Sequence, residues 1–325
     1  MTSLITRPLV NTAAKSIPST VLHQTANPPF PVLLSDQVTV PAGGEQAFRS
    51  ELFTNNTGRP IELHSLRVTS SLAPAIGSIV PAPGVRSAGL VALSIVVDGV
   101  KMTRGDVPVW GMCRSDNRLN ETQVNVRWMV NGLCWYFSHP VPLRPGRGIR
   151  VTAKHLGGIP ANVTVGVSFA GRVSPAPIPN RVPFVAAWTS RSFGYAEVGT
   201  DSTPPDALAN DTGRDLTIDR IVGRSIAFDD GAIGGELADY DDVSTQGISS
   251  FLVRMGLSQS RPILKTYTPW RTVFGQNAAV EGKTILRPGD YLTADIAHIA
   301  GPTLPTPFTY SQNRGLLSIV GWREV

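Results

Sequence analysis

With 325 residues, 42% of them hydrophobic, and a formal charge of only +5, the chain is long enough for two hydrophobic cores and too apolar to be disordered as a whole. No apolar run approaches the roughly 18 residues of a membrane-spanning helix. The 29 Lys and Arg are scattered singly, which excludes a dedicated nucleic-acid groove and permits only weak, non-specific attraction to a genome or to anionic lipid. The 31 glycines and 27 prolines are spread throughout, and capped helical periodicity is hard to find, so the expected class is all-β.

Residues 1–44 carry several prolines, few charges and no helical stripe. They read as an extended N-terminal arm that lies along another surface: its own first domain, a neighbouring subunit or the inside of an assembly. The start of the chain, broken by Arg7, Pro8, Lys15 and Pro18, lacks the apolar centre of a secretory signal, so folding in a cytoplasm is expected. On that expectation Cys113 and Cys134 are buried thiols rather than a disulfide, and the Asn-x-Thr sequons at Asn55, Asn120, Asn162 and Asn210 are turn chemistry.

Residues 45–173 form a first unit, with strands expected at 47–54, 61–69, 90–97, 107–112, 124–130, 134–137, 148–156 and 163–173. Trp128, Trp135, Tyr136 and Phe137 offer bulk to fill a sandwich between two sheets; the alternative for such a cluster is a sugar platform. Residues 174–190, with Pro175, Pro177, Pro179 and Pro183, read as a stiff linker that holds two domains in a fixed relation. Residues 191–325 form the second unit, with strands expected at 192–198, 216–223, 251–255, 263–267, 272–274, 283–286, 291–298 and 316–323.

The two units are copies. Asn55-Asn56-Thr57-Gly58-Arg59 precedes an alternating run and is followed later by Leu143-Arg144-Pro145-Gly146; Asn210-Asp211-Thr212-Gly213-Arg214 and Leu286-Arg287-Pro288-Gly289 repeat that order. Beyond each Pro-Gly the match continues, since Ile149, His155 and Leu156 align with Leu292, His298 and Ile299 at one constant offset of 143. Val167, Phe169 and Gly171 likewise align with Leu317, Ile319 and Gly321. Asn, Thr and Gly supply side-chain hydrogen bonds and a positive φ, and Pro-Gly presets a reversal, so each mark is a turn feeding a strand. The structural turn residues are therefore Asn55, Gly58, Pro145 and Gly146, with Asn210, Gly213, Pro288 and Gly289 in the second copy. A period near the length of a whole domain rules out a solenoid or propeller blade.

No nucleophile elbow, phosphate loop, dinucleotide fingerprint or zinc-protease motif occurs, so no catalytic residue, cofactor or metal ligand is assigned. His23, His64, His139, His155 and His298 are far apart, and the equivalent His155 and His298 read as strand-end hydrogen-bonding residues. Asp229, Asp230, Glu236, Asp239, Asp241 and Asp242 surround three glycines with no EF-hand spacing, and read as a loop reaching toward solvent or a partner.

Two tandem eight-stranded antiparallel sandwiches of this size point to jelly rolls. In its arm, its two sandwiches, its short connection and its paired turn marks, the chain resembles the double jelly-roll capsid proteins of tailless icosahedral viruses and phages. The resemblance implies a virion shell protein and no enzyme. It implies a homotrimer whose six sandwiches make a pseudo-hexameric tile, with the chain itself, lattice neighbours and other virion proteins as partners. An internal membrane would suit a mildly basic inner face. The alternatives are a decoration or minor capsid protein of a tailed phage, or a carbohydrate-binding virion component.

Overall fold

The computed structural model describes residues 31–72, 91–115, 133–156, 162–174, 180–194, 196–229, 236–239, 251–258, 261–274, 279–299 and 312–325. The first half contains β1 (Pro31–Val40), β2 (Glu45–Ala47), β3 (Ile61–Leu72), β4 (Val91–Val97), β5 (Val100–Lys101), β6 (Thr103–Arg104), β7 (Val107–Pro108), α1 (Val109–Met112), β8 (Arg114–Ser115), β9 (Leu133–Leu143), β10 (Ile149–His155) and β11 (Val163–Val173). The second contains β12 (Arg181–Thr189), β13 (Gly199–Ser202), β14 (Leu216–Asp229), β15 (Glu236–Asp239), β16 (Phe251–Leu257), β17 (Arg261–Pro269), α2 (Trp270–Phe274), β18 (Ala279–Leu286), β19 (Leu292–His298) and β20 (Gln312–Glu324).

Each half is a sandwich, and the strand orders correspond. In the first, one sheet runs β1-β11-β3-β9 and the other β2-β10-β4-β5; in the second, β12-β20-β14-β18 faces β13-β19-β16-β17. Within each sandwich the neighbouring strands of these two sheets are antiparallel, which is the jelly-roll arrangement. The alternation that announced the strands fills the space between the sheets: Val163, Val165, Val167 and Phe169 of β11 are fully buried, while the residues between them face outward. Phe53 and Phe169 meet edge to face at 5.9 Å in this first core.

One strand of each half also carries the same irregularity. Between β11 and β3 the register shifts at Gly171, leaving His64 as an extra residue; between β20 and β14 it shifts at Gly321, leaving Asp219. A Cβ on Gly171 would stand 2.2 Å from Glu62 O, and one on Gly321 would stand 2.0 Å from Thr217 O. The glycines the two copies share are therefore required by the close approach of the bulged strand.

Several boundaries differ from the sequence expectation. Part of the arm expected over residues 1–44 is a strand of the first sandwich: Pro31–Val40 pairs along its whole length with β11 and turns Val32, Leu34, Val38 and Val40 toward the core. Asp36, on that same inward row, broke the apolar pattern; its carboxylate is buried and answered by Arg49 at 2.5 Å. Residues 1–30 lie outside the described residues. The expected linker, residues 174–190, likewise ends early: Arg181–Thr189 is paired with β20, and Pro183 is tolerated there because the strand lies at the margin of its sandwich.

Two expected strands are partly or wholly helical. Val109–Met112 and Trp270–Phe274 each form a short turn of helix that drops large side chains, Trp110 and Met112 or Trp270 and Phe274, into a core. Residues 50–53 form a 3₁₀ turn, and 192–194 and 196–198 lie outside the named strands. The acidic stretch is not simply a loop: Asp229 ends β14 and Glu236–Asp239 forms β15 beside it, while Asp230, Asp241 and Asp242 lie outside the described residues. Asn120, the strand expected at 124–130 with Trp128, and His23 lie outside them too.

Candidate functional site

Within each half, the two turn marks that recur in the sequence touch in space. The Asn55 amide nitrogen donates to Arg59 O and Leu143 O, each at 2.8 Å, while its oxygen accepts from Thr57 N at 3.0 Å. The Thr57 hydroxyl lies 2.7 Å from Asn55 Oδ1 and 2.9 Å from Arg59 O, so its single proton has two acceptors in reach. The backbone joins in both directions, Asn55 N to Arg147 O at 2.8 Å and Gly146 N to Asn55 O at 2.9 Å.

The second copy repeats this clasp. Asn210 Nδ2 donates to Arg214 O at 2.8 Å and Leu286 O at 2.7 Å; Thr212 N donates to its oxygen at 3.1 Å; Asn210 N reaches Asp290 O at 2.8 Å, and Gly289 N reaches Asn210 O at 2.9 Å. Gly58, Gly146, Gly213 and Gly289 have φ of 72°, 71°, 70° and 85°. Pro145 and Pro288 stand exposed just before the reversals. The structure thus brings Asn55, Gly58, Pro145 and Gly146 into one loop pair and Asn210, Gly213, Pro288 and Gly289 into another.

Both clasps lie at the same end of the molecule. Arg323, beside the second clasp, donates to Lys101 O at 3.0 Å, and Lys101 follows the Asp98-Gly99 turn that lies against the first clasp through Asp98 N to Gly148 O at 3.1 Å. Arg104 of β6 reaches Asp211 at 3.0 Å and donates to Asp206 O in the loop leading into the second clasp. Pro31, Ser174 and Val325 share this end. The strand ends Leu72, Val91, Phe251 and His298 stand at the opposite end.

The two sandwiches are locked by a shared core, a feature not legible from the linker. Val182, Val185, Val222, Leu316 and Val320 of the second half pack into the core of the first, while Phe184, Ala186, Leu317 and Ile319 from the same strands face the other way into the second core. The sheet around β12 and β20 is consequently buried on both faces, which explains the run Leu316-Leu317-Ser318-Ile319-Val320 where alternation was expected. Thr103 and Arg104 of β6 lie parallel to Val185 and Ala186 and extend this sheet from the other half. Ser318 Oγ donates to Gly111 O at 2.5 Å, and Arg220 Nη2 to Met112 O at 2.6 Å, so α1 sits directly on the second sandwich.

The histidines are dispersed. His298 is buried, donates its Nδ1–H to Glu197 O at 2.6 Å and stacks on Phe193 at 5.1 Å; burial holds its pKa below the usual histidine value. His155 is buried at the equivalent strand end, where its backbone N–H meets Gly44 O at 2.8 Å. His64 occupies the bulge and His139 lies 4.5 Å from Trp322. Among the described residues, no three His, Cys, Asp or Glu side chains gather as metal ligands, and no helix is long and apolar enough to cross a membrane. Cys113 and Cys134 are free, buried thiols, and burial raises the Cys113 pKa well above the ordinary thiol value. Trp135 is buried against Phe137 while Tyr136 is 60% exposed, so the expected aromatic group is divided between core and surface by strand alternation.

No family model and no curated protein matches the chain. Among solved structures it is similar to the STIV MCP, at 10% identity and a TM-score of 0.45 over 91% of this chain and 97% of that one. It is also similar to the major capsid protein P2 from bacteriophage PM2, at 9% identity and 0.40 over 90% and 98%, and to PBCV-1 VP54, at 10% and 0.42 over 92% and 95%. The fold class rests on the strand order of the chain itself, which is that of a tandem double jelly roll.

Proposed function

We propose that the chain is a virion structural protein, a capsid shell subunit that acts by association and performs no catalysis. The observation that supports this reading is the pair of like sandwiches fixed side by side, with their turn clasps together at one common end. Such a body is a brick with two distinct ends and two similar halves, and three copies around an axis would form a six-sandwich, pseudo-hexameric tile. Exposed Arg59, Arg144, Arg147, Arg214 and Arg287 lie at the clasp end, with Arg144 and Arg147 partly answered by Asp98 at 3.6 and 3.4 Å, a mixed face that suits weak attraction to nucleic acid or anionic lipid on the inner side of a shell. In this reading the partners are the chain itself as a homotrimer, lattice neighbours and other virion proteins, and residues ahead of Pro31 tie the subunit to a neighbour. The protein then resides in the virion after assembly in a host cytoplasm.

Sedimentation velocity and electron microscopy of the purified chain test this. The expected result is a three-chain particle that forms closed or sheet-like arrays by itself. A monomer at all concentrations under virion-like conditions would overturn the reading, whereas association only onto a preformed lattice would favour a decoration protein.

A further inference from the structure

The duplication makes one half a template for what the other half lacks. In the register of the two sheets, Val185 lies opposite Val320 and Leu33 lies opposite Ala170; since Gly171 and Gly321 are equivalent, Leu33 occupies the place of Val185. Val185 is fully buried because the first half covers it: Met102 O accepts from Val185 N at 2.8 Å, and Thr103 runs alongside. Leu33, on the outer strand of the first sandwich, is 59% exposed.

The covering segment is duplicated as well. Ile95 and Met255 are equivalent through their partners Val151 and Ala294, and Ile95 O receives Met102 N at 2.9 Å while Met255 is paired with Leu264. Leu264 therefore stands where Met102 stands, and Lys265 where Thr103 stands. In the first half this segment is inserted beside β12. In the second it is β17, the outer strand of its sheet, with Ile263 and Tyr267 each 40% exposed and Lys265 exposed between them.

We propose that β17 of one copy pairs, parallel, with the outer edge of β1, unpaired among the described residues, of a second copy, reproducing between chains the β6–β12 contact made within each chain. Leu33 N–H would donate to Leu264 O, and Leu33 would be covered by Ile263 and Tyr267. The donor and acceptor surfaces differ, so the contact is heterologous rather than two-fold, and it makes a ring when three such contacts complete one turn. The rest of the receiving face is small and polar, with Gly166, Ser168 and Ala170 where the second half has Leu316, Ser318 and Val320. The contact between chains thus relies on edge hydrogen bonds and a few side chains, and is weaker than the fused core within the chain. It rests on the associating reading given above and specifies the surfaces that association uses.

Two variants test it. Leu33→Lys places a charge on the exposed edge and should leave the melting temperature of the dissociated chain unchanged while raising the concentration of half-dissociation about tenfold or more. In the cross-linking arm, chains carrying Leu33→Cys are mixed with chains carrying Lys265→Cys and treated with a short bis-maleimide; a two-chain product is expected, and a three-chain ladder from the double variant. Gln46→Lys, exposed on β2 in the opposite sheet of the same sandwich, serves as the control and should behave as the parent. Trimers that persist with Leu33→Lys and yield no cross-link would overturn the edge pairing and leave the assembly reading standing. A parent chain that stays monomeric would overturn both.

Discussion

Replacing Asn210 by Ala tests whether the clasps are structural keystones or surface ornament. Asn210 is fully buried, and the change removes two donated bonds, to Arg214 O and Leu286 O, and one accepted from Thr212 N. Arg214 O keeps the Thr212 hydroxyl at 3.0 Å, but Leu286 O, buried at the end of its strand, loses its side-chain donor. At about 1 kcal/mol for each net bond and about 1–3 kcal/mol for a stranded buried carbonyl, the loss is about 3–5 kcal/mol. Asn55→Ala should cost nearly the same, because its geometry repeats within a tenth of an ångström. Denaturant unfolding followed by tryptophan fluorescence measures both. Asn210→Asp is the sharper variant: it keeps the acceptor but turns a carboxylate oxygen toward two carbonyls, so it should be at least as damaging at pH 7 and recover as acid protonates it. A loss below about 1 kcal/mol for either alanine variant would refute the reasoning.

Gly171→Ala and Gly321→Ala should each be strongly destabilising, since the added methyl meets backbone oxygen rather than a movable side chain, whereas Ala at Gly282, where a Cβ meets nothing within 4 Å, should change little; thermal melts of the three compare them directly. Asp36 is subject to burial, which raises its pKa, but the Arg49 hydrogen bonds outweigh this and hold it below the ordinary carboxylate value. Its stabilisation is therefore complete above the unfolded pKa and lost as pH falls through the folded one, so Arg49→Ala should lower stability at pH 7 and do so progressively less in acid; an equal loss at pH 7 and pH 2 would contradict it. Cys113 and Cys134 should resist a thiol reagent in the native protein and both react on denaturation, and rapid native labelling would show that the first core opens.

Features that depend on local backbone chemistry are legible in the letters alone. Asn-x-Thr-Gly-Arg and Arg-Pro-Gly declare their turns because side-chain hydrogen bonds and positive φ are encoded within five residues, and the period-2 rows at 163–169 and 292–298 declare strands because one face of each is buried. Even the bulge glycines were visible as aligned letters, although the backbone oxygen that requires them was not. The remaining features are set by neighbours distant in sequence. Pro31–Val40 and Arg181–Thr189 looked like arm and linker because their prolines, and in the first the buried Asp36, interrupt the pattern; each is a strand because β11 or β20 offers it a complete ladder. Two expected strands became helical turns because Trp110 and Trp270 are drawn into cores. The fixed relation of the two halves comes from a sheet buried on both faces, and the difference between covered Val185 and exposed Leu33 follows from which half already has a partner within its own chain.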